Sequence, residues 1–133
     1  AYFLLAFVNI GLVPDGGSSA FVTARIGATR AAELAMLGER LSAERAAEWG
    51  LINGVGREGT FVSDTEALVE RLAHGPTRSY AGSKAQLNAW AFERLDEQLA
   101  LEARLQQEMA GTTDFVEGVS AFLEKRDASF TGR

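Results

Sequence analysis

AYFLLAFVNIGLVPDGGSS, residues 1–19, is the stretch on which the fold turns. Its character changes at Pro14. The run before it is too short to cross a membrane, which takes about 20 apolar residues. It also lacks the basic start and small-residue cleavage site of a secretory signal. Residues 2–8 are dense in aromatic and aliphatic side chains, and Val8, Ile10, Leu12 and Val13 follow. That density predicts one or two buried strands, interrupted at Asn9 and Gly11. A strand apolar on both faces needs cover on both sides, and little else in the sequence reads as strand. Two arrangements stay open: sheet partners outside these residues, or packing against the chain's own helices. After Pro14, Asp15-Gly16-Gly17-Ser18-Ser19 combines turn chemistry with residues suited to start a helix.

Outward from this stretch the sequence reads as a string of helices. Residues 18–26 form the first, stopped by Gly27; residues 29–37 form the second, with Leu34 and Leu37 on one side and Gly38 as stop. Ser42 caps a third that runs to Trp49 and ends at Gly50. Leu51, Ile52 and Val55 suggest a brief extended piece, and GREGT (56–60) a flexible joint. Ser63-Asp64-Thr65-Glu66 has the form of a capping box, opening a helix that carries Ala67, Leu68, Leu72 and Ala73. Gly75-Pro76 breaks it, and a helix over 78–91 follows. On the next, 95–110, Leu95, Leu99, Leu101, Leu105 and Met109 share one arc. By default that arc is core, with a subunit interface as the alternative. Gly111-Thr112-Thr113 closes it and caps a last helix, 114–126, expected to turn Val116, Val119, Phe122 and Leu123 inward. The tail SFTGR reads as irregular. The fold class is α/β, mostly helical, with one or two short strands at the start.

At 133 residues the chain suits one compact domain, and 47% apolar with 23% charged residues is ordinary globular composition. Eighteen acidic against 13 basic residues give a net charge of −5, opposite to the footprint of a nucleic-acid binder. With no cysteine there is no disulfide framework, zinc–thiolate site or thiol nucleophile, and a reducing cytosol is permitted. A single histidine, His74, excludes any multi-histidine metal site.

Asp15 is the first candidate for chemistry. It stands between an apolar segment and a helix, where α/β proteins place ligands, and two glycines beside it allow close backbone approach. Desolvation by Phe3, Phe7 and Val13 would strengthen it as a general base. The competing role is a helix cap. Gly16-Gly17-Ser18-Ser19 is no phosphate loop, because no GK[ST] follows. Ser18 or Ser19 with His74 and Asp15 would make a triad only on paper, since no nucleophile elbow is present. His74, at a helix end, suits carbonyl capping. Glu124-Lys125-Arg126 places cations at a helix C-terminus, where they complement the dipole or meet a phosphate.

Taken in order, NIGLVPDGGSS (9–19), RIGATRAAELAMLGERLSAERAAEWGLIN (25–53), LVERLAHGPTRSYAGSKAQLNA (68–89) and EGVSAFLEKRDASFTGR (117–133) resemble the C-terminal half of the crotonase superfamily, the enoyl-CoA hydratase/isomerase proteins. The resemblance covers essentially the whole chain. It implies the end of a ββα spiral carrying the active-site turn over residues 1–60, and a C-terminal helical oligomerisation region over 61–133. It implies an acyl-CoA thioester as substrate, a homotrimer or hexamer, a cytoplasmic location, and neither nucleic-acid nor membrane partners. No metal or separate cofactor is expected, coenzyme A being part of the substrate. The family's oxyanion hole of two backbone amides would come from sequence before Ala1, so the chain looks like about half of the usual enzyme.

Position by position, the second hydratase glutamate falls at Phe7, which cannot transfer protons. The dehalogenase and phenylacetate-pathway isomerase branches carry an aspartate directly after the Ile-Pro-type turn, and Asp15 matches it. AEWGLI (47–52) also resembles the phenylacetate branch. The resemblance thus implies Asp15 as catalytic base for double-bond isomerisation. Phe7, Pro14 and Gly16 would line the substrate, and Lys125 would match a position that meets CoA phosphates. The alternatives are a hydratase, or a truncated crotonase that folds and assembles without catalysis.

Overall fold

The computed structural model describes residues 1–133. Only the first part of the apolar opening is strand. Tyr2–Phe3 (β1) pairs antiparallel with Leu41–Ser42 (β2), in the register Tyr2 to Ser42 and Phe3 to Leu41. Residues Ala6–Ile10 wind instead into a 3₁₀ turn. Gly11 ends that turn at φ 73°, and Leu12 N–H donates to the Phe7 carbonyl at 2.9 Å. The interruption at Gly11 therefore overrides the strand-like composition around it, because a left-handed residue folds the backbone back on itself. Leu51, Ile52 and Val55 are not a strand either. Leu51 and Ile52 bend under the core while Val55 is exposed, and the second strand lies earlier, at Leu41.

The six helices follow the glycine and threonine punctuation. Ser18–Leu37 (α1) is broken at Gly27 (φ 77°, ψ 163°), where a stop was predicted, and closed by Gly38. Ala43–Trp49 (α2) is capped by Ser42, whose hydroxyl accepts from Arg45 N–H at 3.2 Å. Phe61–Ala73 (α3) begins two residues ahead of the predicted capping box. Thr60 precedes it and donates to the Asp64 carboxylate at 2.8 Å, so no Ser63–Glu66 box forms. Thr77–Ala91 (α4), Leu95–Ala110 (α5) and Thr113–Glu124 (α6) complete the order, with Thr112 capping α6 through Phe115 N–H.

The core gathers Ile26, Ala31, Leu34, Leu41 and Ala46, with Leu5, Val22, Trp49, Leu51 and Ile52 against it. The Trp49 ring is flanked by the Arg30 and Arg45 guanidinium groups, at 5.1 and 4.8 Å from its centre. The 3₁₀ turn packs on α1 and on α6. Its crossing with α6 is set by Gly118, where an added Cβ would stand 2.6 Å from Ile10 Cα. Small residues thus make that contact. Gly118 and Ala121 are buried, whereas Val116, Phe122 and Leu123 face outward at 63%, 74% and 73% exposure, against the expectation that they point inward. Only ten residues are buried, and the chain exposes 9833 Å². A compact monomer of 14.3 kDa exposes about 6,800 Å², so roughly 3,000 Å² lies beyond that scaling. No helix is long and apolar enough to cross a membrane.

Candidate functional site

Pro14 and Asp15 enter α1 through two glycines in left-handed conformation, Gly16 at φ 62° and Gly17 at φ 83°. A residue with a Cβ is strained in both, so the sharpness of the turn depends on this pair. The turn leaves the first amides of α1 without helical partners. Two at this end, Gly17 and Ser19, are satisfied from 85 and 83 residues away. Glu102, buried in the middle of α5, accepts from Gly17 N–H at 2.7 Å, from Ser19 N–H at 3.0 Å and from the Ser19 hydroxyl. Gln98 donates to the same hydroxyl at 2.8 Å. A carboxylate at a helix N-terminus also meets the positive end of the macrodipole.

The helix cap is therefore Glu102. The Asp15 carboxylate makes no bond to the amides of α1; the Asp15 carbonyl accepts from Ser18 N–H at 3.0 Å and from the Ser18 hydroxyl at 2.6 Å. Its carboxylate takes one hydrogen bond, from Gln106 Nε2 to Oδ2 at 2.8 Å. Asp15 is exposed, so the predicted desolvation by Phe3, Phe7 and Val13 is absent among these residues. Pro14 lines a groove of ≈ 230 Å³ with Leu5, Ser18 and Val22. A larger opening, ≈ 700 Å³, lies between α1 and the start of α5 beside Ser19 and Gln98.

Pro14, Asp15 and Gly16 are thus together by sequence. Phe7 is half-buried on the 3₁₀ turn rather than in a strand, and Lys125 lies apart at the end of α6. Lys125 closes α6 at φ 56°, the one non-glycine residue in left-handed conformation. It forms no ion pair, while its neighbour Arg126 is fully engaged. Arg126 clasps Glu117 with both terminal nitrogens, at 2.6 and 2.9 Å, and reaches Glu124 through Nε at 2.7 Å. The Arg126 guanidinium and then the Ser129 amide hold the Glu117 carboxyl down at about 2. The tail is irregular as predicted, yet tied. Thr131 and Gly132 donate to Asp114, and Asp114 N–H donates to the Arg133 carbonyl at 2.9 Å.

The triad does not assemble. His74 is exposed at the end of α3, 3.1 Å from the Glu70 carboxylate, and Ser19 is committed to Glu102 and Gln98. No three His, Cys, Asp or Glu side chains converge to hold a metal ion. Sequence reasoning missed Gln98, Glu102 and Gln106. The available signal was that these polar residues, spaced four apart, fall inside the apolar arc of α5 rather than opposite it.

The family model described as Enoyl-CoA hydratase/isomerase matches residues 1–133. The chain is 43% identical to a probable enoyl-CoA hydratase of Rhodobacter capsulatus, covering all of this chain and 52% of that protein. It is 41% identical to the 1,2-epoxyphenylacetyl-CoA isomerase of Escherichia coli, over all of this chain and 51% of that one. Among solved structures, an enoyl-CoA hydratase of Mycobacterium avium subsp. paratuberculosis superposes with a TM-score of 0.91 at 41% identity. That match covers 98% of this chain and 53% of the other. The chain spans about half the length of the curated relatives it matches.

Proposed function

This chain belongs to the enoyl-CoA hydratase/isomerase family, and we propose that it carries the general base of an isomerase moving a double bond in an acyl-CoA thioester. Its architecture is the mostly helical part of the crotonase fold, with a short two-stranded sheet at its start. The observation that carries the reading is the division of labour at the turn. Glu102 caps α1, and so the Asp15 carboxylate is released from the structural duty that would otherwise explain it.

In this reading Asp15 takes a proton from one carbon of the unsaturated acyl chain, leaving an enolate conjugated with the thioester. It then returns the proton two carbons away. One carboxylate suffices for both transfers. The enolate charge is held by two backbone amides that the family supplies from a glycine-rich segment with no counterpart in residues 1–133. Phe7, Pro14 and Gly16 border the acyl group. Lys125, a cation with no carboxylate partner, meets the CoA phosphates. Hydration would need a carboxylate to position water, and Phe7 stands where the resemblance puts the second one.

The assembly is a homotrimer or hexamer in the cytoplasm. The outward apolar side chains of α3 and α4 support packing against further copies. Asp15→Asn in the intact protein should lower turnover of a 3-enoyl-CoA, followed by formation of the conjugated 2-enoyl-CoA, at least about a hundredfold. Undiminished turnover would remove the base from this turn.

A further inference from the structure

We propose that Gln106 is a positioning residue for Asp15, fixing one carboxylate oxygen so that the other faces the substrate carbon. The inference rests on the reading of Asp15 as base. An exposed aspartate just ahead of two left-handed glycines has rotamer freedom that works against proton transfer, which needs the accepting oxygen at a set place. Gln106 Nε2 donates to Oδ2 at 2.8 Å and takes that freedom away. The remaining oxygen, Oδ1, has no partner among the chain's hydrogen bonds and is the one left to accept a proton.

The other end of the same amide shows what it is oriented for. Gln106 Oε1 is buried with no hydrogen-bond partner. An unsatisfied buried acceptor is destabilising. Rotating the amide by half a turn would not recover this, because it would set the oxygen against the Asp15 carboxylate. Gln106 is therefore arranged to serve Asp15 and not its own surroundings. Gln98, Glu102 and Gln106 stand one turn apart on a single face of α5. Glu102 fixes the backbone of the turn at Gly17 and Ser19, Gln98 holds the Ser19 hydroxyl, and Gln106 fixes the Asp15 side chain.

The proton balance is simple. A C–H bond breaks, its electron pair passes into the enolate, and Oδ1 gains the proton; the reverse transfer frees Oδ1 again. The Gln106 N–H stays on Oδ2 throughout.

The test uses four variants of the intact protein, assayed for 3-hexenoyl-CoA isomerisation across pH. Gln106→Met keeps the shape and loses the donor. Its kcat should fall about tenfold with KM within about twofold, and the acid limb of the kcat profile should move up. Gln106→Lys restores a donor and should bring the acid limb back to or below its original place, while Gln106→Glu should push it higher. An unchanged acid limb across Met, Lys and Glu overturns the proposal, as does a loss that falls on KM and melting temperature alone. If the Met variant does not fold, the Lys and Glu profiles decide by the same criterion. Asp15→Asn separates the premises. Full activity there defeats the base itself, whereas an inactive Asp15→Asn beside an unaltered Gln106→Met defeats only the positioning role.

Discussion

α1 with α5, and α3 with α4, end in opposite situations. Between α1 and α5 the contact is locked by name: Glu102 to Gly17 and Ser19, Gln98 to Ser19, Gln106 to Asp15. Across α3 and α4 every residue from 61 to 91 is exposed, apart from Gly75, which is half-buried. Phe61, Leu68, Val69 and Leu72 share a face of α3, and Trp90 on α4 is 90% exposed. An apolar face says that a helix will be covered. Only partners of fixed geometry, such as a polar lock or a glycine crossing, say that its own chain does the covering.

The strongest challenge to this contrast is Glu102→Leu. It leaves two amides and a hydroxyl at the start of α1 without their acceptor and should lower unfolding stability by about 3 kcal/mol in a denaturant melt. A loss under about 1 kcal/mol would mean that α1 and α5 are held by apolar contact alone, like any other pair. Leu68→Asp with Leu72→Asp probes the other side. Two charges on the α3 stripe should change the unfolding free energy of the isolated chain by no more than about 0.5 kcal/mol. Sedimentation should show the assembly of the intact protein falling apart. A large loss of the chain's own stability would place that stripe inside the fold.

The smallest effect is expected at the tail, whose ties are charged and exposed. Glu117 titrates at about 2 in the fold against an ordinary 4.5, chiefly because Arg126 donates to it, and Asp114 is lowered chiefly by the Thr131 amide. Folded values below the unfolded ones mean that these ties contribute fully above about pH 4.5. They weaken as the pH falls toward 2. Protection of the Ser129 and Thr131 amides, taken relative to intrinsic exchange at each pH, should fall across that window while Ile26 and Leu34 stay protected. Protection that is flat with pH would make the tail's attachment independent of both carboxylates.

Much of the fold was legible because its punctuation is local. Gly27, Gly38, Gly50 and Thr112 end or open helices by their own backbone preferences, and they do so where the sequence places them. The Asp15 turn was legible for the same reason. The apolar composition around Phe7 reads as strand, whereas Gly11, four residues on, turns the backbone back. Val116, Phe122 and Leu123 read as the inward face of the last helix and lie outward. At a close crossing the buried positions are the ones with least side chain, Gly118 and Ala121. Glu102 and Gln106 could not be assigned from neighbours, since what gives them meaning is a turn 83 to 91 residues earlier.

That separation carries a consequence in time. As the chain is made, the side chains that hold Asp15 and its glycines follow about 85 residues behind them. Closing so long a loop must precede the contacts that reward it, so such pairings form late. Helices α1 to α4 can exist before the turn at Asp15 has its final shape. On refolding, helical signal should return first, and order at the turn only when α5 docks. Competence at this turn would then report that the chain has folded through to its fifth helix.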